Sequence, residues 1–175
     1  MTLSKDDLTE TGNECILYGE LFTTYGRTIN SVRSHTHINK EDCYSLSESN
    51  DLLFPASTTV DALSLISPSA ISKAGIILGG DMFGIRLKPD YNNVYMSHLL
   101  ASYYKNKLAA YAQGSTIIHI HFSDIKNVQI QVHPKRIQDK IAEALDAADK
   151  RIILEERVQE YLKEQKRFLL NGLFK

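Results

Sequence analysis

Apolar and polar positions change their rhythm once along this chain, near residue 133. Before that point the apolar residues come in short bursts. Cys15, Ile16, Leu17, Leu21 and Phe22 surround Gly19 and predict a strand or a brief helix. Residues 23–50 are polar, rich in Ser, Thr and Asn, and show no sustained period, so they read as an irregular segment of functional use. Leu52, Leu53 and Phe54 form a strand closed by Pro55, and residues 75–78 form a second buried strand. Gly79, Gly80 and Asp81 follow as a turn, since glycine adopts positive φ without strain. Residues 82–87 give the next strand. Asn92 or Asn93 then caps a helix whose face runs through Met96, Leu99, Leu100, Tyr103, Leu108 and Tyr111. Ile118, Ile120 and Phe122 alternate with His119 and His121, and Val128, Ile130 and Val132 alternate with Gln129 and Gln131. Both stretches carry strand periodicity.

From Pro134 onward the period is helical. Proline suits a first turn, and no glycine follows until Gly172, which reads as the C-terminal stop. A helix from Pro134 to Asn171 would be about 55 Å long at 1.5 Å per residue. Ile141, Leu145, Ala148, Ile152, Leu162, Leu169 and Leu173 fall on steps of three and four or their multiples, the seam of helices packed along their length. Glu155, Gln159 and Lys166 interrupt that seam. Such a helix reaches toward another chain. The expected fold is therefore mixed α/β (α+β): a globular domain over residues 1–132, a hinge at His133 and Pro134, and a long helix over 133–175 that packs as a coiled coil.

Composition narrows the class. Of 175 residues, 43% are hydrophobic and 23% charged, as in a soluble globular protein. A formal net charge of −1 excludes a globally basic nucleic-acid binder, so any such site is a local patch. Cys15 and Cys43 match no metal spacing and no disulfide framework, which fits reduced thiols in the cytoplasm. The polar N-terminus is no signal peptide, and no run approaches the roughly 20 apolar residues of a membrane span.

Catalytic chemistry finds little support. His119 and His121 share a strand face, yet Asp124 is the one carboxylate nearby in sequence and no H-E-x-x-H pattern exists, so no metal site is expected. The Gly79–Gly80 turn lacks the frame and the lysine of a phosphate loop. No serine sits in a nucleophile elbow. No catalytic residue is assigned. What remains is binding chemistry. Ser57, Thr58 and Thr59, with Gln113, Gly114, Ser115 and Thr116, offer hydroxyls, an amide and backbone N–H groups of the kind that hold DNA phosphates. Arg27, Arg33, Lys40, Lys73, Arg86 and Lys126 are candidates for a local positive surface.

The order of four pieces carries a resemblance. Residues 52–57 (LLFPAS) come first, then 79–87 (GGDMFGIRL), then the AQGST of residues 112–116. Last come Ile130–Gln131–Val132–His133–Pro134 and Gln138–Asp139–Lys140–Ile141. The A-x-G-S-T element and the P-x-x-x-Q-x-x-I opening of a long helix together resemble the specificity subunit of type I restriction-modification systems, over most of the chain from Cys15 onward. That resemblance implies a target-recognition domain joined to a helical spacer. It makes Arg27, Arg33, Lys40, Ser57, Thr58, Thr59, Lys73, Arg86, Gln113, Ser115 and Thr116 the DNA-binding candidates. Ile141, Leu145, Ala148, Ile152, Leu162 and Leu169 become the partner face. Family members do no chemistry themselves. They place methyltransferase subunits, which use S-adenosylmethionine, and a restriction subunit; this chain is expected to hold no cofactor and no metal. Full-length members carry two recognition domains and two antiparallel spacer helices, whereas one of each is present here. The expectation is half of a specificity subunit, pairing with itself or with another half. A decoy half that blocks assembly without reading DNA is the alternative.

Overall fold

The computed structural model describes residues 3–42 and 45–174; the Cys43 expectation lies outside them, while Cys15 is buried. In chain order its elements are β1 (Leu8–Thr9), β2 (Asn13–Ile16), α1 (Glu20–Thr23), β3 (Thr28–Ile29), β4 (Ser34–Thr36), β5 (Asp51–Pro55), β6 (Ser57–Thr58), α2 (Ala62–Leu65), β7 (Ser69–Ile71), β8 (Ile77–Leu78) and β9 (Met82–Arg86). Then follow α3 (Asn93–Ala101), α4 (Lys105–Ala109), β10 (Ile118–His119), α5 (Phe122–Ile125) and α6 (Lys135–Leu173). The fold is mixed α and β with a long C-terminal helix.

The organising strand is β5. Every residue of it is buried, as a continuous apolar run requires when both faces are covered. It pairs antiparallel with β7 on one side and β9 on the other, and β3 joins β7 in parallel, giving the order β3-β7-β5-β9. The register sets Asp51 opposite Arg86 and Pro55 opposite Met82, so the two ends of the sheet have different chemistry. Phe54 stacks on Phe83 with ring centroids 5.1 Å apart. A second sheet, β1-β4-β2-β8, uses the 23–50 segment that carries no period in sequence. Leu52, Phe54, Leu65, Tyr95, Leu100, Leu108 and Ile120 form the main core, each burial worth about 2 kcal/mol.

Several expected elements take another form. The helix after Asn92 breaks into α3 and α4, and Tyr103 and Tyr111 lie outside the core, Tyr103 at 80% exposure. Alternation ends early after Ile118: Phe122 starts α5, because the Asp124 carboxylate accepts the His121 N–H (2.8 Å) and turns the chain into a helix. Residues 128–132 make no ladder. Lys107 donates to the Gln129 carbonyl (2.9 Å), and the Gln131 N–H donates to the Tyr104 hydroxyl (2.8 Å), so side chains satisfy that backbone instead. In the 79–81 turn it is Asp81, at φ 55°, that takes the left-handed region rather than either glycine.

The start of α6 is locked rather than hinged. The Tyr95 hydroxyl lies 2.8 Å from His133 Nδ1. Gln138, buried in the first turns of α6, accepts the Asn92 N–H through Oε1 (2.9 Å) and donates through Nε2 to the His133 carbonyl (2.8 Å). Asn92 also caps α3, its Oδ1 accepting the Tyr95 N–H at 3.0 Å, while its Nδ2 donates to Asp139 (2.8 Å). The bond to Lys135, ahead of that to Asn92, holds the Asp139 carboxyl below the ordinary carboxylate range. At its other end α6 runs through Gly172 to Leu173, so the glycine is not the stop.

Candidate nucleic-acid interface

Two polar loops far apart in sequence meet at one edge of the head. β6 pairs antiparallel with β10, with Thr58 opposite Ile118 and Ser57 opposite His119. Gln113 and His119 exchange both backbone bonds, at 2.7 and 2.9 Å. The tight return between them needs Gly114, at φ 114°, where a Cβ would stand 2.0 Å from the Ile117 carbonyl oxygen. Residues 113–116 are thereby clamped beside β6, with Ser115 and Thr116 exposed at the tip. An open cleft of about 690 Å³ lies alongside, and Tyr18, Phe22, Thr58, Thr59, Val60 and His119 contribute to its wall. Sequence reading found its hydroxyls and missed the rest. Val60 and Ile117, 74% and 49% exposed, stand beside Tyr18 and Phe22 along it, so the hydroxyls share the cleft with exposed apolar groups.

The basic candidates do not gather there. Arg27 spans the junction of head and helix, donating to the Pro68 carbonyl (3.1 Å) and the Ser67 hydroxyl (3.2 Å); burial lowers its pKa and Asp149 pushes it back up. Lys73 is paired with Glu14 at 2.5 Å. Arg86 lies between Glu48 (3.0 Å) and the buried Asp51 (3.2 Å), and the hydrogen bond to Asp51 raises its pKa. It also sits at the Asp51 end of β5, six residues or roughly 20 Å from Ser57. Lys40 approaches Gly75, in the second sheet's neighbourhood. Arg33 is exposed, and its side chain has no ion-pair partner among the described residues. Lys126 ends α5 and does not line the cleft. Ser57, Thr58 and Thr59 share the cleft, the 113–116 loop is pinned beside it, and the six basic candidates are dispersed.

The partner-face candidates divide along α6. Ile141 and Leu145 are half-buried against the head, next to the buried Gln138 and Ala142. Ala148, Ile152, Leu162 and Leu169 are exposed, the last three at 55–58%. Val158, Tyr161 and Phe168, absent from the sequence-based seam, are exposed as well. At about 100° per residue, Leu154, Val158, Tyr161, Leu162, Phe168 and Leu169 centre roughly half a turn away from Gln138, Ile141, Ala142 and Leu145, while the exposed Ile152, Ile153 and Leu170 fall on the nearer side. The helix buries one side on its own head, and most of its exposed apolar residues farther out lie on the other.

Comparison with known proteins accords with this architecture. A family model described as type I restriction modification DNA specificity domain matches residues 2–164. Among solved structures, the chain is similar to one described under complex assembly and conformational transition of the type I R-M system. That match has TM-score 0.63 and 16% identity, covering 97% of this chain and 39% of the other. It is also similar to the HsdS subunit from Thermoanaerobacter tengcongensis (TM-score 0.57, 16% identity, 91% and 36% covered). A third is the type I restriction-modification S subunit from M. genitalium (TM-score 0.53, 18% identity, 86% and 35% covered). The chain thus spans somewhat over a third of the length of these structures. No curated protein matches it by sequence.

Proposed function

Because the chain belongs to the type I restriction modification DNA specificity family, we propose that its head reads a half-site on duplex DNA while α6 joins that head to a second one and positions methyltransferase and restriction subunits. A specificity domain recognises and does not catalyse. Adenine methylation, with S-adenosylmethionine as donor, falls to the partner methyltransferase, and no residue of this chain is assigned a chemical step.

The cleft beside β6 and β10 suits base readout. Thr58, Thr59 and His119 offer donors and acceptors to base edges, and Val60 and Ile117 offer apolar contact to thymine methyl groups. The observation that carries the assembly reading is the run of exposed apolar side chains along outer α6, most of them away from the head-packed side of the helix. A second copy packed antiparallel along that run buries it by two-fold symmetry and holds one head at each end. The target is then two inverted half-sites at a fixed spacing.

Selection from a random-sequence duplex library with the full chain tests this reading. Enrichment of one motif made of two inverted half-sites is the expected result; an unenriched pool would overturn it.

A further inference from the structure

Where α6 leaves the head, its flank and the 24–33 segment face each other across a groove of about 490 Å³. The helix contributes Lys150, Ile153 and Arg157, and the segment contributes Thr28, Asn30 and Arg33. The adjoining inner groove, by contrast, includes Asp146 and Asp149. There the carboxylates have cationic neighbours: Lys150 pairs with Asp146 at 2.6 Å, and Asp149 acts on the Arg27 guanidinium. In the outer groove two guanidiniums remain unmatched. Neither Arg33 nor Arg157 has a carboxylate partner among the described residues, and both are exposed. Free arginines on two walls of a polar groove suit a row of anionic oxygens and not a carboxylate-lined helix.

We propose that this groove binds the phosphodiester backbone of duplex DNA, with Arg33 and Arg157 as its two cations, so that the spacer helix grips DNA as well as holding the heads apart. This rests on the reading of the chain as a DNA-recognition subunit. The head cleft reads bases, and the groove fixes the duplex against the rod irrespective of sequence.

The test is fluorescence anisotropy of the full chain with a labelled random-sequence duplex over a salt series. The slope of log K against log salt should fall by about one for Arg157→Ala and about two for Arg33→Ala with Arg157→Ala. The motif enriched from the random library should stay the same in both variants. Arg157 stands on the exposed flank of the helix, so its replacement leaves the fold intact, as an unchanged melting curve will verify. An unchanged salt slope in Arg157→Ala and in the double variant overturns the groove assignment while the DNA-reading role stands. Loss of saturable inorganic-phosphate binding in the variants, with duplex binding unaltered, also overturns it by assigning the groove to a free anion. Failure of the unaltered chain to bind any duplex overturns the underlying reading as well.

Discussion

The inner and outer halves of α6 are one unbroken helix with the same kind of amphipathic spacing, yet they solve opposite problems. Residues 135–149 are a joint: Gln138 and Ala142 are buried, and the head reaches the helix through Asn92 and His98. Residues 150–173 are bare, with Ile152, Tyr161, Leu162 and Phe168 at least 55% exposed. A helical period tells that a face will be buried but not by what. The polar residue is what distinguishes the two halves. In the inner half Gln138 is matched donor for acceptor by the head's own backbone, and such matching needs a fixed neighbour in the same chain.

The comparison can be broken from either side. The largest effect is expected for Gln138→Leu, which strands the Asn92 N–H and the His133 carbonyl. Thermal unfolding should show a loss of about 2–3 kcal/mol with the outer half of α6 unaffected. Leu162→Glu should do the reverse. It puts a charge on the outward apolar line, weakens self-association in sedimentation equilibrium at least about tenfold, roughly 1.4 kcal/mol, and leaves the melting of the head unchanged. Asn92→Ala removes the α3 cap and the bond to Asp139 together, for about 1 kcal/mol in the same melt.

The smallest effect is the pH dependence of His98. Burial, ahead of the opposing pull of Asp149, lowers its pKa from 6.5, so the folded joint favours the neutral ring. A pKa below that of the unfolded chain contributes stability above pH 6.5 that is lost as the pH falls through the folded value. Melting temperature should therefore drop on acidification just below pH 6.5, and His98→Asn should flatten that part of the profile.

Legibility followed the range of the interactions. The buried run at 51–54, the Asn92 cap and the span of α6 are written in neighbouring residues and were readable from them. Residues 57–59 and 113–116 were readable as two separate binding loops, but their joining through β6 and β10 depends on a tertiary register. The dispersal of the cations had no local signal at all. Lys73 meets Glu14 across 59 residues, and Arg86 meets Asp51 across 35. The alternation at 128–132 misled because Lys107 and Tyr104 take the place of a neighbouring strand. Arg157 escaped notice since a charged residue on a long helix reads as solvated until the 24–33 segment is seen facing it.

The most direct test of the account is the mass of the full chain in solution by light scattering through the micromolar range. The account predicts twice the mass of one chain, falling to a single chain's mass in Leu162→Glu. A strict monomer for the unaltered chain, with or without DNA, would contradict it.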